Sequence, residues 1–173
     1  FCCMLGEGAM ANWRTNYMLN IAPADDAFAP LGLIAFSSAM MLARFFGDYV
    51  RNNMSDRLVL ICNSVIAITG IAIIILFPFP VTAFVGFFLV GLGLSIIVPI
   101  AYSTAGNTPG IAPSVGIGMV TTIGYAGFLL GPPTIGLLSN WQNLRIAFFF
   151  ILFLFAIMGV LSLFFQSVRI NDN

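Results

Sequence analysis

The sequence has no lysine and no histidine, and only 7% of its 173 residues are charged. Soluble domains carry roughly 25% charged residues, so water is not the main solvent of this surface. With a net charge of zero, no basic patch for nucleic acid is expected. The absence of histidine excludes Ser/His/Asp catalysis and the commonest metal ligand, and the three cysteines lack C-x-x-C spacing. We therefore expect no enzyme, no cofactor and no metal site.

Long apolar stretches make up most of the chain instead. Hydrophobic residues account for 60% of the sequence, and the mean hydropathy is +1.05. The stretches are about 20 residues long, which is the length that crosses a hydrocarbon core of about 30 Å as a helix. We predict an all-α, polytopic membrane bundle of six transmembrane helices in contact with the lipid bilayer. The predicted helices are residues 1–20, 28–46, 57–77, 82–105, 114–138 and 143–166.

The first predicted helix is the most polar of the six. Glu7, Met10, Arg14 and Tyr17 recur at steps of three and four residues, which places them within one helix face. Ionisable groups at membrane depth are costly and normally face a bundle interior or an aqueous cavity. We predict that this helix lines a cavity. In the alternative interpretation, Glu7 and Arg14 lie near the two membrane interfaces and snorkel or pair for structural reasons.

Three further helices carry specific expectations. Pro99 lacks an N–H, so the fourth helix should kink and leave a carbonyl free near Ser95. The fifth helix is rich in glycine, which favours close approach of another helix. The sixth is apolar on all sides, so it should stand at the periphery against lipid.

Residues 43–57 form a charged segment between two apolar stretches, and we predict a loop there between the end of the second helix and the start of the third. Cations on opposite ends of the six helices set the orientation, because the side with more arginine is normally cytoplasmic. One side has Arg44, Arg51, Arg57 and Arg169, and the other has Arg145, to which Arg14 can be added. This count predicts a cytoplasmic C-terminus.

The charged segment also carries a motif. R-F-F-G-D-Y-V-R at residues 44–51 resembles the repeated loop motif of the major facilitator superfamily, with Arg44 at its start. In that comparison Gly47 takes the small position and Asp48 the acidic one, while Arg51 and Arg57 take the basic ones. The resemblance implies that these charges pair across the interface between two halves in one transport state. The alternative is a charged loop that only sets topology.

The segment departs from the family motif at two places, and two further passages of the sequence add to the resemblance. Asn53 and Met54 stand where a glycine is usual, and Ala43 replaces another, which leaves the loop geometry open. G-F-L-L-G-P-P-T-I-G at residues 127–136 resembles the signature G-x-x-x-G-P-x-x-G of the superfamily, although its last glycine comes one residue later, and a packing and bending role is implied. The signature residues are Gly127, Gly131, Pro132 and Gly136. E-G-A-M-A-N-W at residues 7–13 resembles the start of the second half in a bacterial, fucose-permease-like branch.

The resemblance implies that residues 1–173 are the C-terminal half of such a transporter, helices seven to twelve, built as two inverted three-helix repeats. By this comparison the first, fourth and fifth helices border the central cavity, and the third and sixth lie outside. The chain opens inside an apolar helix without a methionine, so we expect a piece of a longer protein. The N-terminal half would belong to the same or a separate chain in a bacterial inner membrane, or two copies of this chain would assemble instead.

The function predicted on this basis is secondary transport of a small solute, sugar-like or another polar metabolite, by proton-coupled alternating access. Glu7 would be the proton-sensitive group, and Arg14 its partner or a contact for a substrate anion. Tyr17, Tyr102 and Tyr125 would offer hydroxyls and aromatic faces. The alternatives are an efflux permease for lipophilic compounds and a membrane structural subunit that transports nothing.

Overall fold

A computed structural model describes residues 1–25 and 27–165. Every regular element in that part of the chain is an α-helix. The eight helices are α1 (Cys2–Asn20), α2 (Leu31–Phe45), α3 (Gly47–Asn53), α4 (Asp56–Leu76), α5 (Pro80–Leu94), α6 (Ile97–Gly106), α7 (Pro113–Trp141) and α8 (Leu144–Leu163). The end of the sixth predicted helix, residue 166, and Arg169 lie outside the described residues.

Four segments are long and apolar enough to cross a membrane: α4, the span Pro80–Gly106 that α5 and α6 make together, α7 and α8. The pair α2 and α3 makes a fifth candidate if the two are taken as one bent span. The helical membrane bundle is therefore confirmed, but length and composition support four or five spans within the described residues rather than six. Of the six predicted spans, the one not supported is α1, because its polar residues lower its mean hydropathy.

The charged segment is not a simple loop, contrary to the prediction. Arg44 belongs to the last turn of α2, and residues Gly47–Asn53 form the separate helix α3, bent by 50° from α2. The next helix begins where the side chain of Ser55 accepts a hydrogen bond from the N–H of Leu58, 3.3 Å away. This N-cap satisfies a backbone donor that the start of a helix leaves unpaired. Most of the segment is thus helical.

The predicted kink in the fourth apolar stretch is confirmed as a break between α5 and α6 at Ser95 and Ile96. Pro99 has no N–H to donate to the carbonyl of Ser95, four residues earlier. That carbonyl instead accepts a hydrogen bond from Nε of Arg44 at 3.3 Å. Gly47, at the bend between α2 and α3, packs on Ile96. The bend between α2 and α3 and the break between α5 and α6 are therefore in contact.

The core of the bundle is aromatic and aliphatic, and α8 supplies part of it. Phe148 and Phe155 of α8 are fully buried, whereas Phe149 and Phe153 on its other side are exposed. The predicted peripheral position of this helix is therefore confirmed for one face only. An all-apolar helix can face the core and lipid at once, because neither environment requires a polar stripe.

Close backbone contact joins α1 and α7. A Cβ on Gly127 would lie 2.8 Å from the carbonyl oxygen of Phe1, and a Cβ on Gly131 would lie 2.9 Å from the amide nitrogen of Ala9 and closer still to the carbonyl of Leu5. Residue numbers rise together along the two helices, so they run parallel. Only a residue without Cβ permits this separation, so Gly127 and Gly131 allow the close approach of the two helices.

The rest of the glycine and proline signature also faces α1. The indole Nε1 of Trp13 donates a hydrogen bond to the carbonyl of Pro132 at 3.0 Å, and the same ring lies against Gly136. Pro132 and Pro133 are both inside α7, which nevertheless continues as one helix of 29 residues. The prolines therefore do not end the helix.

Candidate functional site

A groove of about 450 Å³ opens between α1, α2 and α7. Its polar lining residues are Glu7, Arg14, Ser37 and Arg44. The remaining lining side chains are Ala11, Phe36, Met40, Met41 and Phe128. Charged groups at this position agree with the prediction that the first helix borders a cavity.

The groove face of α1 follows from helical spacing. Glu7, Ala11 and Arg14 are separated by four and three residues, so their side chains project from one side of the helix. Met4 is one step earlier on that side and lines a neighbouring cavity of about 60 Å³ together with Tyr102. Glu7 and Arg14 of the predicted polar stripe therefore share the groove side of α1.

Glu7 pairs with Arg44. The carboxylate Oε1 lies 3.9 Å from Nη2 of Arg44, whose Nε is the donor to the Ser95 carbonyl. The Arg44 side chain is 48% exposed and that of Glu7 20%. The sequence offered Arg14 as the partner of Glu7 or as a contact for a substrate anion; among the described residues the partner of Glu7 is Arg44 instead. Arg44 was assigned to the loop motif and placed near the end of the second helix; it lies in the last turn of α2, beside the break between α5 and α6.

Arg14 has a different environment. It is only 6% exposed, and its guanidinium carbon lies 5.0 Å from the centroid of the Phe36 ring. Its Nε is buried and has no hydrogen-bond partner among the described residues. The contact with Phe36 is a cation–π interaction, which is favourable but does not replace the hydrogen bonds that a guanidinium makes in water.

The three tyrosines predicted for the site are not brought together. Tyr17 is fully buried, donates a hydrogen bond to the carbonyl of Ile74 at 2.7 Å and stacks on Phe148 with ring centroids 4.6 Å apart. Tyr17 therefore points into the core and does not line the groove. Tyr102 is half-buried in the small cavity beside Met4, and Tyr125 is exposed on α7.

The motif residues of α3 and its surroundings form a second polar cluster. Arg51 donates through Nε to Oδ1 of Asp56 at 3.1 Å and through Nη2 to Oγ of Ser103 at 3.2 Å. These bonds tie α3 to α4 and α6. Asp48 and Arg57 are exposed, and neither makes an ion pair within the described part of the chain. Asp56 is the acidic partner that sequence reasoning missed.

Sequence reasoning also missed the wall of the groove formed by α2. Ser37, Met40, Met41 and Arg44 are spaced by three, one and three residues, so they lie on one side of the helix. The same periodicity that singled out α1 was present here. It went unnoticed because methionine does not stand out in an apolar helix, while serine and arginine were each interpreted alone.

The chain was compared with known proteins. No family model matches it. It is 32% identical over 169 residues to "Membrane protein MosC" of Rhizobium meliloti, covering 98% of this chain and 42% of that protein. It is 35% identical over 148 residues to an uncharacterized MFS-type transporter of Yersinia pestis, covering 86% of this chain and 38% of that protein. It is 29% identical over 158 residues to the uncharacterized transporter y4wD of Sinorhizobium fredii, covering 91% and 42%.

The chain spans about two fifths of the length of the curated relatives it matches. Its apolar helices and these similarities support an integral membrane protein that resembles MFS-type transporters. These similarities indicate only a general class of protein, that of membrane transporters.

Proposed function

We propose that this chain is the C-terminal six-helix half of a secondary transporter that moves a small polar solute by proton-coupled alternating access. In this proposal the protein lies in a bacterial inner membrane with its C-terminus in the cytoplasm, and it belongs with the fucose-permease-like transporters. The N-terminal half provides the facing wall of the cavity. The observation that carries the proposal is the ion pair of Glu7 and Arg44 in a groove between helices.

We count α1 as the sixth spanning helix although it is polar. Its ionisable residues face the groove rather than the outside of the bundle, and it packs against α7, α8 and α2. A polar helix is tolerated at membrane depth when protein and an aqueous cavity surround its charges. This arrangement supports a central position for α1.

Protonation of Glu7 would act on the helix break through Arg44. A neutral carboxyl attracts the guanidinium less than a carboxylate does, so Arg44 would be released from Glu7. The same guanidinium holds the Ser95 carbonyl at the junction of α5 and α6. We propose that proton binding is thereby coupled to the shape of that junction and to the exposure of the groove on one side of the membrane.

The test uses the full-length protein reconstituted in proteoliposomes, with uptake of radiolabelled hexoses and hexose acids measured with and without an inward pH gradient. Glu7→Gln should reduce gradient-driven uptake at least tenfold and leave counterflow exchange of substrate measurable. Asp25→Asn removes a carboxylate in an exposed loop and should change neither. Gradient-driven uptake that Glu7→Gln leaves intact would exclude Glu7 as the proton site.

Two other outcomes would favour other functions. Resistance of overexpressing cells to hydrophobic cations, without solute uptake, would favour an efflux permease for lipophilic compounds. Absence of any transport by a correctly folded full-length protein would favour a structural membrane subunit.

A further inference from the structure

We infer that the groove binds an anionic solute and that Arg14 binds the carboxylate of that solute. This inference rests on the proposed transport function and names its substrate class. The first step is the charge of the groove. Among the described residues that line it, one is acidic and two are basic, and the acidic one is paired with Arg44. Arg14 is the cation left without a negative partner in the groove.

The surroundings of Arg14 make an unpaired charge expensive. The side chain is buried, and its Nε has no partner within residues 1–25 and 27–165. Removal of a charged group from water costs more than one cation–π contact returns. A negatively charged ligand would compensate, because charge-assisted hydrogen bonds to guanidinium are among the strongest that proteins make.

Phe36 prepares Arg14 for such a ligand. Its ring lies against the guanidinium, 5.0 Å from the ring centroid to the guanidinium carbon, and so limits the movement of the side chain. A guanidinium carries its N–H donors in its own plane, in a fork that matches the two oxygens of a carboxylate. The contact with Phe36 reduces the conformational freedom that Arg14 would lose on binding, and the N–H donors that do not face the ring stay available to the ligand.

The rest of the groove favours one small anion over a cation. Met40, Met41 and Phe128 are apolar walls, and a lower local dielectric strengthens attraction between opposite charges. Ser37 supplies a hydroxyl for a neutral polar group of the solute. A volume of about 450 Å³ holds one solute of the size of a sugar acid. A cationic solute would meet two arginines.

The experiment compares three hexoses of the same shape but different charge: D-glucuronate, D-glucose and D-glucosamine. The thermal unfolding midpoint of the intact, detergent-solubilised protein is measured against the concentration of each. We expect D-glucuronate to raise the midpoint at concentrations at which the other two do not. Equal responses to D-glucuronate and D-glucose, or no response to D-glucuronate, would overturn the inference.

The variants locate the effect. Arg14→Gln should raise at least tenfold the D-glucuronate concentration needed for the same rise in midpoint. Arg14→Lys should raise it less, because lysine keeps the charge but lacks the forked pair of N–H donors. Arg145→Gln removes the same charge from α8, outside the groove, and should leave the response unchanged. If Arg14→Gln does not fold, the inference is still tested by two results: the weaker response of Arg14→Lys, and the preference of the wild-type protein for D-glucuronate over D-glucose and D-glucosamine.

A carboxylate of the protein itself is the competing source of negative charge. In that case Arg14→Gln would markedly lower the midpoint without any ligand, and the preference for D-glucuronate would be absent or unaffected by the substitution. That result would overturn the inference. Our expectation is a ligand-free midpoint that is unchanged or raised, because the substitution removes an unpaired buried charge.

The outcome also separates this inference from the proposed function. Proton-driven uptake of D-glucose with no response to D-glucuronate would keep the transporter and overturn the anion site. Binding of D-glucuronate through Arg14 without uptake of any solute would keep the anion site and overturn the proposed transport.

Discussion

The contact between α1 and α7 predicts a graded response to one chemical change made at three places on the same helix. Gly118, Gly124 and Gly131 all lie in α7 (Pro113–Trp141). Within residues 1–25 and 27–165 no atom lies within 4 Å of a Cβ added at Gly118. At Gly124 the nearest atom is Cγ of Met4 at 3.4 Å, and at Gly131 the new methyl group would meet the α1 backbone. Replacement of each glycine by alanine therefore adds the same group to three different environments.

The magnitudes follow from two opposing contributions. Alanine is favoured over glycine in a helix by about 1 kcal/mol, so Gly118→Ala should raise the free energy of unfolding by up to that amount. At Gly131 the methyl group would lie 2.9 Å from the amide nitrogen of Ala9. Backbone cannot rotate away as a side chain can, so the helices must separate, and overpacking of this kind costs about 1–3 kcal/mol. The flexible Met4 can yield to Gly124→Ala, which should fall between the two.

The assay is unfolding of the full-length protein by sodium dodecyl sulfate in mixed micelles, followed by tryptophan fluorescence. Gly131→Ala should be less stable than Gly118→Ala by about 1–3 kcal/mol, as expected from the overpacking cost. The three variants share the same change in composition, so differences in micelle binding cancel. Equal stability of Gly118→Ala and Gly131→Ala would refute the close α1–α7 contact.

Two more predictions concern the core and the helix break. Tyr17→Phe removes the hydrogen bond to the Ile74 carbonyl but keeps the stacked ring, so the same assay should show a free energy of unfolding lower by about 0.6 kcal/mol. Tyr125→Phe changes an exposed ring and should leave the free energy of unfolding unchanged. Equal losses in the two variants would contradict the core position of Tyr17. Pro99→Ala restores an N–H that can bond the Ser95 carbonyl, so the protein should become more stable while proteoliposome uptake falls at least fivefold; undiminished uptake would show that the break is not needed for transport.

The helices and several packing details could be predicted from the sequence because they depend on local features. Apolar stretches of membrane length gave the helix positions to within a few residues, as for α4 (Asp56–Leu76). The missing N–H of Pro99 determined where the carbonyl would be freed. The glycines of α7 indicated a close helix contact, since few other features explain Gly127 and Gly131 in one apolar helix.

The pairing of side chains could not be predicted in the same way. Helical spacing places Tyr17 near the face of Glu7, but three to four residues per turn leave a wide angular range, and the neighbouring helices decided that Tyr17 points into the core. The pair of Glu7 and Arg44 joins residues far apart in sequence, and no local pattern indicates it. The bend at Phe46 has no proline or glycine pair before it, so the charged segment was mistaken for a loop.

The backbone contact between α1 and α7 also determines how the bundle can deform. Helices that meet backbone to backbone have no compliant layer of side chains between them, so we expect α1 and α7 to move as one stiff unit. Flexibility is then concentrated where hydrogen-bond ladders are interrupted, at Phe46 and at Ser95 with Ile96. Arg44 lies next to both places and pairs with Glu7 of α1, so one guanidinium connects the rigid part of the bundle to the flexible part.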